Sequence, residues 1–137
     1  MSSEYFLFTD GACRGNPGKS GGGAVLFDAN MKEIDCRYEY FGIHTNNESE
    51  YKAIILGLEM CQYHCIPFSK LNFRSDSMLA VNQLVGIWKA RHPNIIPLFQ
   101  KIKLMKINEC KSIEHVYRKY NKRADELANK SIDESTM

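Results

Sequence analysis

The spacing of hydrophobic residues in this chain changes near residue 45, and that change limits the folds open to it. In the first third, apolar and aromatic residues form three short runs, over residues 5–9, 23–28 and 31–41. The third run alternates apolar and polar residues with a period of two, which is typical of a strand with one buried face. A short turn at 28–30 predicts that the second and third strands form an antiparallel hairpin.

Beyond residue 45, apolar residues recur at the spacing of helices, interrupted by two short β-prone runs. A helix is expected to be capped by Thr45 or Asn46 and stopped by Pro67, and a second to be capped at Asp76-Ser77. The remaining elements are a strand over 71–74, a helix after residue 97, a strand over 112–117 and a last helix over 121–132. The order βββαβααβα predicts an α/β protein in which helices flank a five-stranded mixed sheet.

The length and composition are those of one globular domain. The chain has 137 residues, of which 44% are hydrophobic and 25% charged, and it has no internal repeat or linker. We therefore expect a single domain over residues 1–137, with a frayed tail over about residues 131–137. No apolar run approaches a membrane span, the N-terminus lacks a signal-peptide pattern, and the five scattered cysteines are typical of free thiols. A cytoplasmic protein without a membrane partner is expected.

The net charge of +2 hides an uneven distribution of charge along the chain. Residues 86–123 contain ten Lys or Arg and two acidic residues, whereas the segments before and after are net acidic. Such a basic segment can hold a polyanion while carboxylates elsewhere bind cations. A solvated basic helix face has the same composition, so charge alone leaves both interpretations open.

Four acidic residues are expected at junctions between the predicted elements. Asp10 ends the first strand and Asp76 follows the fourth, Glu50 lies in the first turn of the first helix, and Asp125 lies near the start of the last. Side chains at such junctions converge at one end of a sheet. Clustered carboxylates repel one another unless cations screen them, so the pattern indicates a site for a hard divalent cation, most naturally Mg²⁺.

Each of these residues also has a purely structural interpretation. Asp10 precedes a glycine, as turn residues do, and Asp76 suits a helix N-cap. Glu50 can be an exposed helix acid, and Asp125 can interact favourably with the dipole of its helix. No single residue decides between the interpretations, but the joint placement of all four favours the metal site.

Short motifs surround each of the four acidic residues. They are Thr9-Asp10-Gly11-Ala12 with Gly15-Asn16-Pro17-Gly18 and the glycines Gly21 to Gly23, Thr45-Asn46-Asn47 with Glu50-Tyr51-Lys52-Ala53, Ser75-Asp76-Ser77 with Val81 and Gln83, and Asn121 with Ala124-Asp125-Glu126-Leu127-Ala128. In this order and spacing they resemble the ribonuclease H type 1 family over nearly the whole chain. The resemblance implies an RNase H-like fold and an endoribonuclease that hydrolyses the RNA strand of RNA–DNA hybrids. The resemblance is to a short form of the family, which lacks the basic insertion and the separate hybrid-binding domain that some members carry.

The resemblance also implies the chemistry of the site. Asp10, Glu50, Asp76 and Asp125 would be the catalytic, metal-binding quartet, holding two Mg²⁺ ions with substrate, for which Mn²⁺ can substitute. Asp10 would bridge both ions, with Glu50 and Asp76 on the leaving-group side and Asp125 on the water-activating side. The products would carry 5′-phosphate and 3′-hydroxyl ends. Two-metal hydrolysis needs no protein nucleophile, so the lack of a Ser/His/Asp arrangement is consistent with it.

Contacts with the hybrid follow from the same resemblance. Short polar side chains would read the 2′-hydroxyls that distinguish RNA from DNA, and glycines would let the backbone approach closely. Trp88 offers an aromatic platform, although it also suits a hydrophobic core, and Lys89 and Arg91, with lysines 101, 103 and 106 beyond, offer phosphate contacts. Asn16 also suits a turn, and Asn46 and Asn47 suit capping. The implied substrate-binding residues are Gly11, Cys13, Arg14, Asn16, Asn46, Asn47, Gln83, Trp88, Lys89, Arg118 and Lys119.

The sequence departs from the family pattern before its last helix. Many relatives have a histidine in a glycine-containing loop there, whereas residues 117–123 are short and contain none. His115 is expected inside the preceding strand. We hypothesise that Arg118 or Lys119 takes over part of that role by meeting charge on the phosphate.

Two other classes of function share much of this pattern. Another RNase H-like polynucleotidyl transferase or nuclease would keep the carboxylates without needing residues that read 2′-hydroxyls. A catalytically silent hybrid-binding module would be marked by loss of a carboxylate, and none of the four is lost. Cys61, His64 and Cys65 lie close together on a helix, but the sequence offers no fourth zinc ligand at a compatible spacing. We expect a monomer whose partner is an RNA–DNA hybrid, with no obligate protein partner.

Overall fold

The computed structural model describes residues 3–135, and within them the predicted element order βββαβααβα is confirmed. The strands are β1 (Tyr5–Gly15), β2 (Gly18–Phe27), β3 (Glu33–His44), β4 (Leu71–Ser75) and β5 (Ser112–His115). The α-helices are α1 (Asn46–Tyr63), α2 (Met78–Leu84), α3 (Ile96–Leu104) and α4 (Lys122–Ser135). Single 3-10 turns lie at Phe68–Lys70, Ile107–Glu109 and Arg118–Tyr120. None of the helices in the described part of the chain is long and apolar enough to cross a bilayer.

The strands form the predicted five-stranded mixed sheet, in the order β3-β2-β1-β4-β5. β1 is central, pairing antiparallel with β2 and parallel with β4, and β5 continues the parallel half. Neighbouring residues of a strand point to opposite faces of the sheet. A Cβ at Gly22 would meet Ala53 of α1, and one at Gly23 would meet Ala124 of α4, so these two helices cover opposite faces.

The sequence placed the start of the second strand at residue 23, after most of the glycine-rich stretch. In the structure these glycines lie inside β2, which begins at Gly18. A Cβ at Gly23 would be 2.4 Å from the carbonyl oxygen of Ala124 and 2.7 Å from the amide nitrogen of Ala128. α4 therefore packs directly against the backbone of the strand, which a larger residue would prevent. The local pattern of a strand is weak where glycines supply no side chains, and this is why its start was predicted too late.

The first helix begins where its capping signal predicted. Thr45 is the N-cap: its hydroxyl accepts a hydrogen bond from the Glu48 amide at 3.2 Å, and the Glu48 carboxylate accepts one from the Thr45 amide at 2.9 Å. This reciprocal pair satisfies two amides that a helix start leaves unpaired. The buried side chains of Tyr51, Ile54 and Leu58 join the hydrophobic core, which holds α1 at a fixed height on the sheet.

The expected frayed tail from residue 131 is wrong for the residues the structure describes. α4 continues to Ser135, and Ser131 and Ile132 are 3% and 1% exposed. The Ser131 hydroxyl lies against β2, where a Cβ on Gly21 would meet it, and it donates to the Ala128 carbonyl oxygen at 2.6 Å. Contact with the sheet thus extends the helix beyond its polar sequence signal, and residues 136–137 of the predicted tail lie outside the described range.

Candidate active site

The register of the central strands places two carboxylates side by side. β1 and β4 pair in parallel with Thr9 opposite Ser75, so Asp10 and Asp76 follow at adjacent positions. The prediction that Asp10 ends its strand is wrong, because Asp10 lies in the middle of β1 and pairs with Gly23 of β2. The reason is that β2 continues to pair with β1 after β4 has stopped. Asp10 is 6% exposed.

Glu50 reaches the same place from α1, where it lies in the second turn and not in the predicted first. The amide of Gly11 donates to the Glu50 carboxylate. A Cβ at Gly11 would be 2.4 Å from the carbonyl carbon of Ser49 and 2.5 Å from the amide nitrogen of Glu50. The lack of a side chain at position 11 is therefore what allows β1 and α1 to meet here.

Asp10, Glu50 and Asp76, the carboxylate trio, have ligand oxygens within 4.8 Å of one another. Burial raises the pKa of the Asp10 carboxyl, and the charges of Glu50 and Asp76 raise it further. Burial also raises the pKa of Glu50, with the charge of Asp76 adding to the effect and hydrogen bonds from Asp10 and the Gly11 amide opposing it. Ionising all three groups is therefore unfavourable unless a cation is present. Hard carboxylate oxygens in this arrangement can hold a divalent metal ion.

The fourth predicted carboxylate stands apart from the trio. Asp125 lies on α4 and lines the same cleft of about 380 Å³, but its ligand oxygens fall outside the 4.8 Å cluster. Its Oδ1 accepts a hydrogen bond from Nδ2 of Asn129 at 3.2 Å. The structure therefore brings all four predicted carboxylates to one cleft and three of them into one cluster.

Asn121 precedes α4 and connects the start of this helix to β1 by a hydrogen bond next to the trio. Its Nδ2 donates to the carbonyl oxygen of Thr9 at 2.9 Å, one residue before Asp10, and both side chains are buried. Its own carbonyl oxygen accepts from the amide of Asp125 at 3.1 Å. The sequence marked Asn121 as part of a motif without a role, and the contact that explains it spans the whole chain.

Two further depressions adjoin the carboxylate cleft, and we call the three together the groove. The first shares Leu79 with the cleft, and the second shares Gln83 with the first. The middle of the groove is therefore polar, and its far end is aromatic and basic. The first depression is lined by Asn16, Thr45, Asn47, Leu79, Gln83, His92 and Ile95, and the second includes Gly86, Ile87, Trp88, Lys89, Phe99 and Lys103.

Several of the predicted polar contact residues also have partners within the protein. Asn16 Oδ1 accepts from the amide of Asn46 at 3.0 Å and so ties the β1–β2 turn to the start of α1. Gln83 is 7% exposed, and its Oε1 accepts from the Tyr51 hydroxyl, which leaves its amide nitrogen as donor. The Cys13 thiol, which lines the cleft, donates to the carbonyl oxygen of His44 at 3.3 Å.

The side chain of Arg14 is engaged by α4. Its Nη1 lies 2.6 Å from Oδ1 of Asp133, and its Nη2 donates to Oδ1 of Asn129 at 3.3 Å. The sequence had associated Arg14 with close approach of the backbone to substrate. It did not associate Asn129 with the site at all, although the spacing of four residues from Asp125 on one helix was a usable signal.

The structure separates the two cations proposed to replace the loop histidine. Arg118 lines the cleft, with Nε 3.9 Å from Oδ2 of Asp76. The ammonium group of Lys119 instead lies over the ring of Tyr120, 5.0 Å from its centroid, and Lys119 does not line the cleft. His115 lies in β5, as expected.

The basic segment divides in the same way. Trp88 is 45% exposed and lines the far end of the groove beside Lys89, so the alternative of a core tryptophan is wrong. Lys103 is held by the Leu84 carbonyl oxygen at 2.7 Å and by Asn108 at 3.0 Å. Away from the groove, His64 pairs with Asp35 at 2.8 Å.

A mixed sheet of this order, with a carboxylate cluster against its central strand and a polar groove beside it, defines an RNase H-like protein with a site suited to a divalent metal. The profile of the family described as "Reverse transcriptase-like" matches residues 8–131. Ribonuclease H from Chlorobium phaeobacteroides is 36% identical over 149 residues, which covers 96% of this chain and 97% of the relative. The chain belongs to the ribonuclease H family, type 1.

Other relatives are longer than this chain. Ribonuclease HI from Halobacterium salinarum is 34% identical over 134 residues, which covers 93% of this chain but 64% of the relative, so the chain spans somewhat less than two thirds of it. The crystal structure of LC11-RNase H1 in complex with RNA/DNA hybrid superimposes with a TM-score of 0.92 at 34% identity, covering 98% of this chain and 100% of that one.

Proposed function

We propose that this chain is an endoribonuclease that hydrolyses the RNA strand of RNA–DNA hybrids with the help of bound Mg²⁺. The observation that carries the proposal is the carboxylate trio, packed within 4.8 Å at one end of a groove whose middle is lined by amide side chains. The substrate class is supported by the similarity to LC11-RNase H1, whose structure contains an RNA/DNA hybrid.

The donor set fits the metal. Asp10, Glu50 and Asp76 would hold it through hard carboxylate oxygens, and Asp125, which lines the same cleft, would complete the quartet. We propose two Mg²⁺ ions per site with substrate, with Mn²⁺ as a substitute. When bound, the ions activate water and stabilise charge on the leaving oxygen, giving 5′-phosphate and 3′-hydroxyl ends.

Arg118 is the cation that we propose meets negative charge on the scissile phosphate. Its guanidinium lies next to Asp76, and its side chain is 89% exposed, so it is free to turn toward a phosphate in the cleft. A guanidinium stays charged at any working pH, so it stabilises charge without itself moving a proton.

Discrimination of RNA from DNA is assigned to the polar middle of the groove. The amide nitrogen of Gln83 is left as a donor because the Tyr51 hydroxyl occupies its oxygen, and amides of this kind can bond a 2′-hydroxyl. Trp88 and Lys89 at the far end would contact the sugar and phosphates of the duplex. The proposed contacts nearer the cleft are the backbone around Gly11, Cys13 and Arg14 and the side chains of Asn16, Asn46 and Asn47.

The test is cleavage of a labelled RNA–DNA hybrid with and without Mg²⁺, with duplex DNA and duplex RNA of the same sequence beside it. Asp10→Asn should reduce cleavage by about 1,000-fold or more, because it removes a charge from the centre of the trio. Lys130→Ala, an exposed change on α4, is the matched control and should stay within about twofold of wild type.

Each other class of function has its own outcome in this assay. Cleavage of duplex DNA as fast as hybrid would favour another nuclease or polynucleotidyl transferase with the same carboxylates. A folded protein that binds hybrid but does not cut it in Mg²⁺ or Mn²⁺ would be a silent binding module. We expect the active species to elute as a monomer in size-exclusion chromatography, without a protein partner.

A further inference from the structure

A chain of four polar side chains runs behind the fourth carboxylate. Asp133 pairs with Nη1 of Arg14 at 2.6 Å, and Nη2 of Arg14 donates to Oδ1 of Asn129 at 3.3 Å. Nδ2 of Asn129 donates in turn to Oδ1 of Asp125 at 3.2 Å. This amide bridge, Asp133–Arg14–Asn129–Asp125, connects β1 to α4 and ends at the wall of the cleft.

The donors of Arg14 favour one orientation of the Asn129 amide, and Nη2 also donates to the backbone carbonyl oxygen of Asn129 at 3.4 Å. A guanidinium can only donate hydrogen bonds, so it selects the amide oxygen of Asn129 as its partner. The amide nitrogen must then point to the other side, where the acceptor is the carboxylate of Asp125. A second bond from Nδ2 to the Asp125 carbonyl oxygen, at 3.0 Å, holds the same orientation.

Asp125 needs such support more than the other three carboxylates do. Asp10 and Glu50 are buried, strand register sets Asp76 beside Asp10, and the Gly11 amide bonds Glu50, whereas Asp125 is half-buried on a helix surface. Among residues 3–135, the hydrogen bond from Asn129 is the one that reaches its carboxylate group. Because this bond occupies Oδ1, it turns Oδ2 into a defined direction.

We propose that Asn129 is a positioning residue for Asp125, and that Arg14, anchored by Asp133, holds Asn129 in the working orientation. The inference rests on the proposed function, since it gives Asp125 a task at the metal. It assigns the side chain of Arg14 a role through Asn129, distinct from the contact predicted for its backbone. Removing a residue that hydrogen-bonds and orients a metal ligand commonly lowers metal affinity or activity by about 10- to 100-fold.

Two variants of Asn129 separate orientation from packing. Asn129→Asp has the same shape but no donor and adds a like charge beside Asp125, whereas Asn129→Ala removes the group. Both should lower kcat on the hybrid by about tenfold or more and raise the Mg²⁺ concentration for half-maximal rate, with KM for hybrid within about twofold. An Asn129→Asp protein with wild-type kcat and Mg²⁺ dependence would overturn the proposal, as would loss through KM alone.

A double-mutant cycle tests the part played by Arg14. Arg14→Ala should lower kcat in the same sense as Asn129→Ala, and the double variant should be within about twofold of Asn129→Ala, because the two residues act in series. If Arg14 acts instead by touching nucleic acid, Arg14→Ala raises KM and the two losses multiply. Lys130→Ala, next to Asn129 and outside the bridge, is the control and should match wild type.

A measurement without metal or substrate tests the bridge itself. In ¹H–¹⁵N spectra of the metal-free protein, the Asn129 side-chain amide signals should move in Arg14→Ala and in Asp125→Asn, but not in Lys130→Ala. Thermal melting of each variant confirms that the fold is intact. Unmoved amide signals in Arg14→Ala would overturn the bridge, whereas a wild-type protein that does not cut hybrid would overturn the proposed function and leave this spectral result standing.

Discussion

The carboxylate trio and Asp125 face one cleft but are held in place by different means. Asp10 and Glu50 are 6% and 8% exposed, and backbone register, a close strand–helix contact and a backbone amide set their positions. Asp125 is half-buried, and its carboxylate is held by a side-chain amide. Disturbing Asp10 or Glu50 therefore requires moving the backbone, whereas Asp125 can be disturbed by changing one side chain. Asp125 should therefore respond to mutation of its surroundings differently from Asp10 and Glu50.

The largest effect is expected where the backbone of β1 meets α1. Gly11→Ala places a Cβ 2.4 Å from the Ser49 backbone, so the strand or helix must shift. We expect a loss of about 3 kcal/mol in the free energy of unfolding, with loss of activity. The matched control is Gly42→Ala, where φ is +87° and nothing lies within 4 Å of the new Cβ, so that only the strain of about 1 kcal/mol applies. Urea unfolding measures both, and equal losses would mean that contact with α1 does not hold Glu50 in place.

The trio should make the metal-free protein less stable as pH rises. The pKa values of Asp10 and Glu50 are raised in the folded state. At a pH above the ordinary pKa of a carboxyl group, the folded state therefore binds more protons than the unfolded chain. The free energy of unfolding should therefore fall from about pH 5.5 to about pH 8, on the order of 2 kcal/mol, in EDTA. Carboxyls with a lowered pKa, such as Asp35 beside His64, affect stability only at lower pH.

Two changes should flatten this dependence on pH. Asp10→Asn removes the titrating group at the centre of the trio, and saturating Mg²⁺ neutralises the cluster in the wild type. Urea midpoints at the two pH values measure the slope, and Asp125→Asn serves as the matched carboxylate outside the trio. A wild-type protein that gains stability with pH in EDTA would contradict the burial of the trio as its cause.

Arg118 and Lys119 are exposed neighbours that should contribute differently to the rate of cleavage. Arg118→Ala should lower kcat on the hybrid by about tenfold, because its guanidinium lies beside Asp76 in the cleft. Lys119→Ala should stay within about twofold, because its ammonium lies over Tyr120. Steady-state kinetics on one hybrid substrate compares the pair. If both variants stay within about twofold of wild type, no cation of this loop assists the reaction.

The smallest effect is expected farthest from the carboxylates. Lys89→Ala should weaken binding of hybrid by a few-fold and reduce the slope of log affinity against log salt by about one, because one phosphate contact is lost. Lys103→Ala is the comparison, since its ammonium already bonds Leu84 and Asn108. Binding in Ca²⁺ at several salt concentrations measures the slopes, and an unchanged slope for Lys89→Ala would remove that residue from the interface.

Local patterns were sufficient for the order of elements and for the identity of the four carboxylates. Strand alternation, helical spacing and the helix cap depend on neighbours in sequence, and the observed N-cap, Thr45, is one of the two predicted. The missing loop histidine led to Arg118 as one of two candidate cations for its role. The ends of the elements were harder to predict. β1 and β2 extend through glycines and α4 extends through polar residues, because contact with a distant element stabilises these segments.

The sequence alone thus determined which carboxylates to expect together in one cleft, since charge and hydrogen-bonding capacity belong to the residue type. Only the tertiary structure decided that three carboxylates cluster while the fourth stands apart, and that Arg14 faces Asp133 and Asn129. Arg14 and Asp133 are 119 residues apart in sequence, and no local preference encodes such a contact. It arises because Gly23 allows α4 to lie directly on the sheet, which brings the helix within reach of the end of β1.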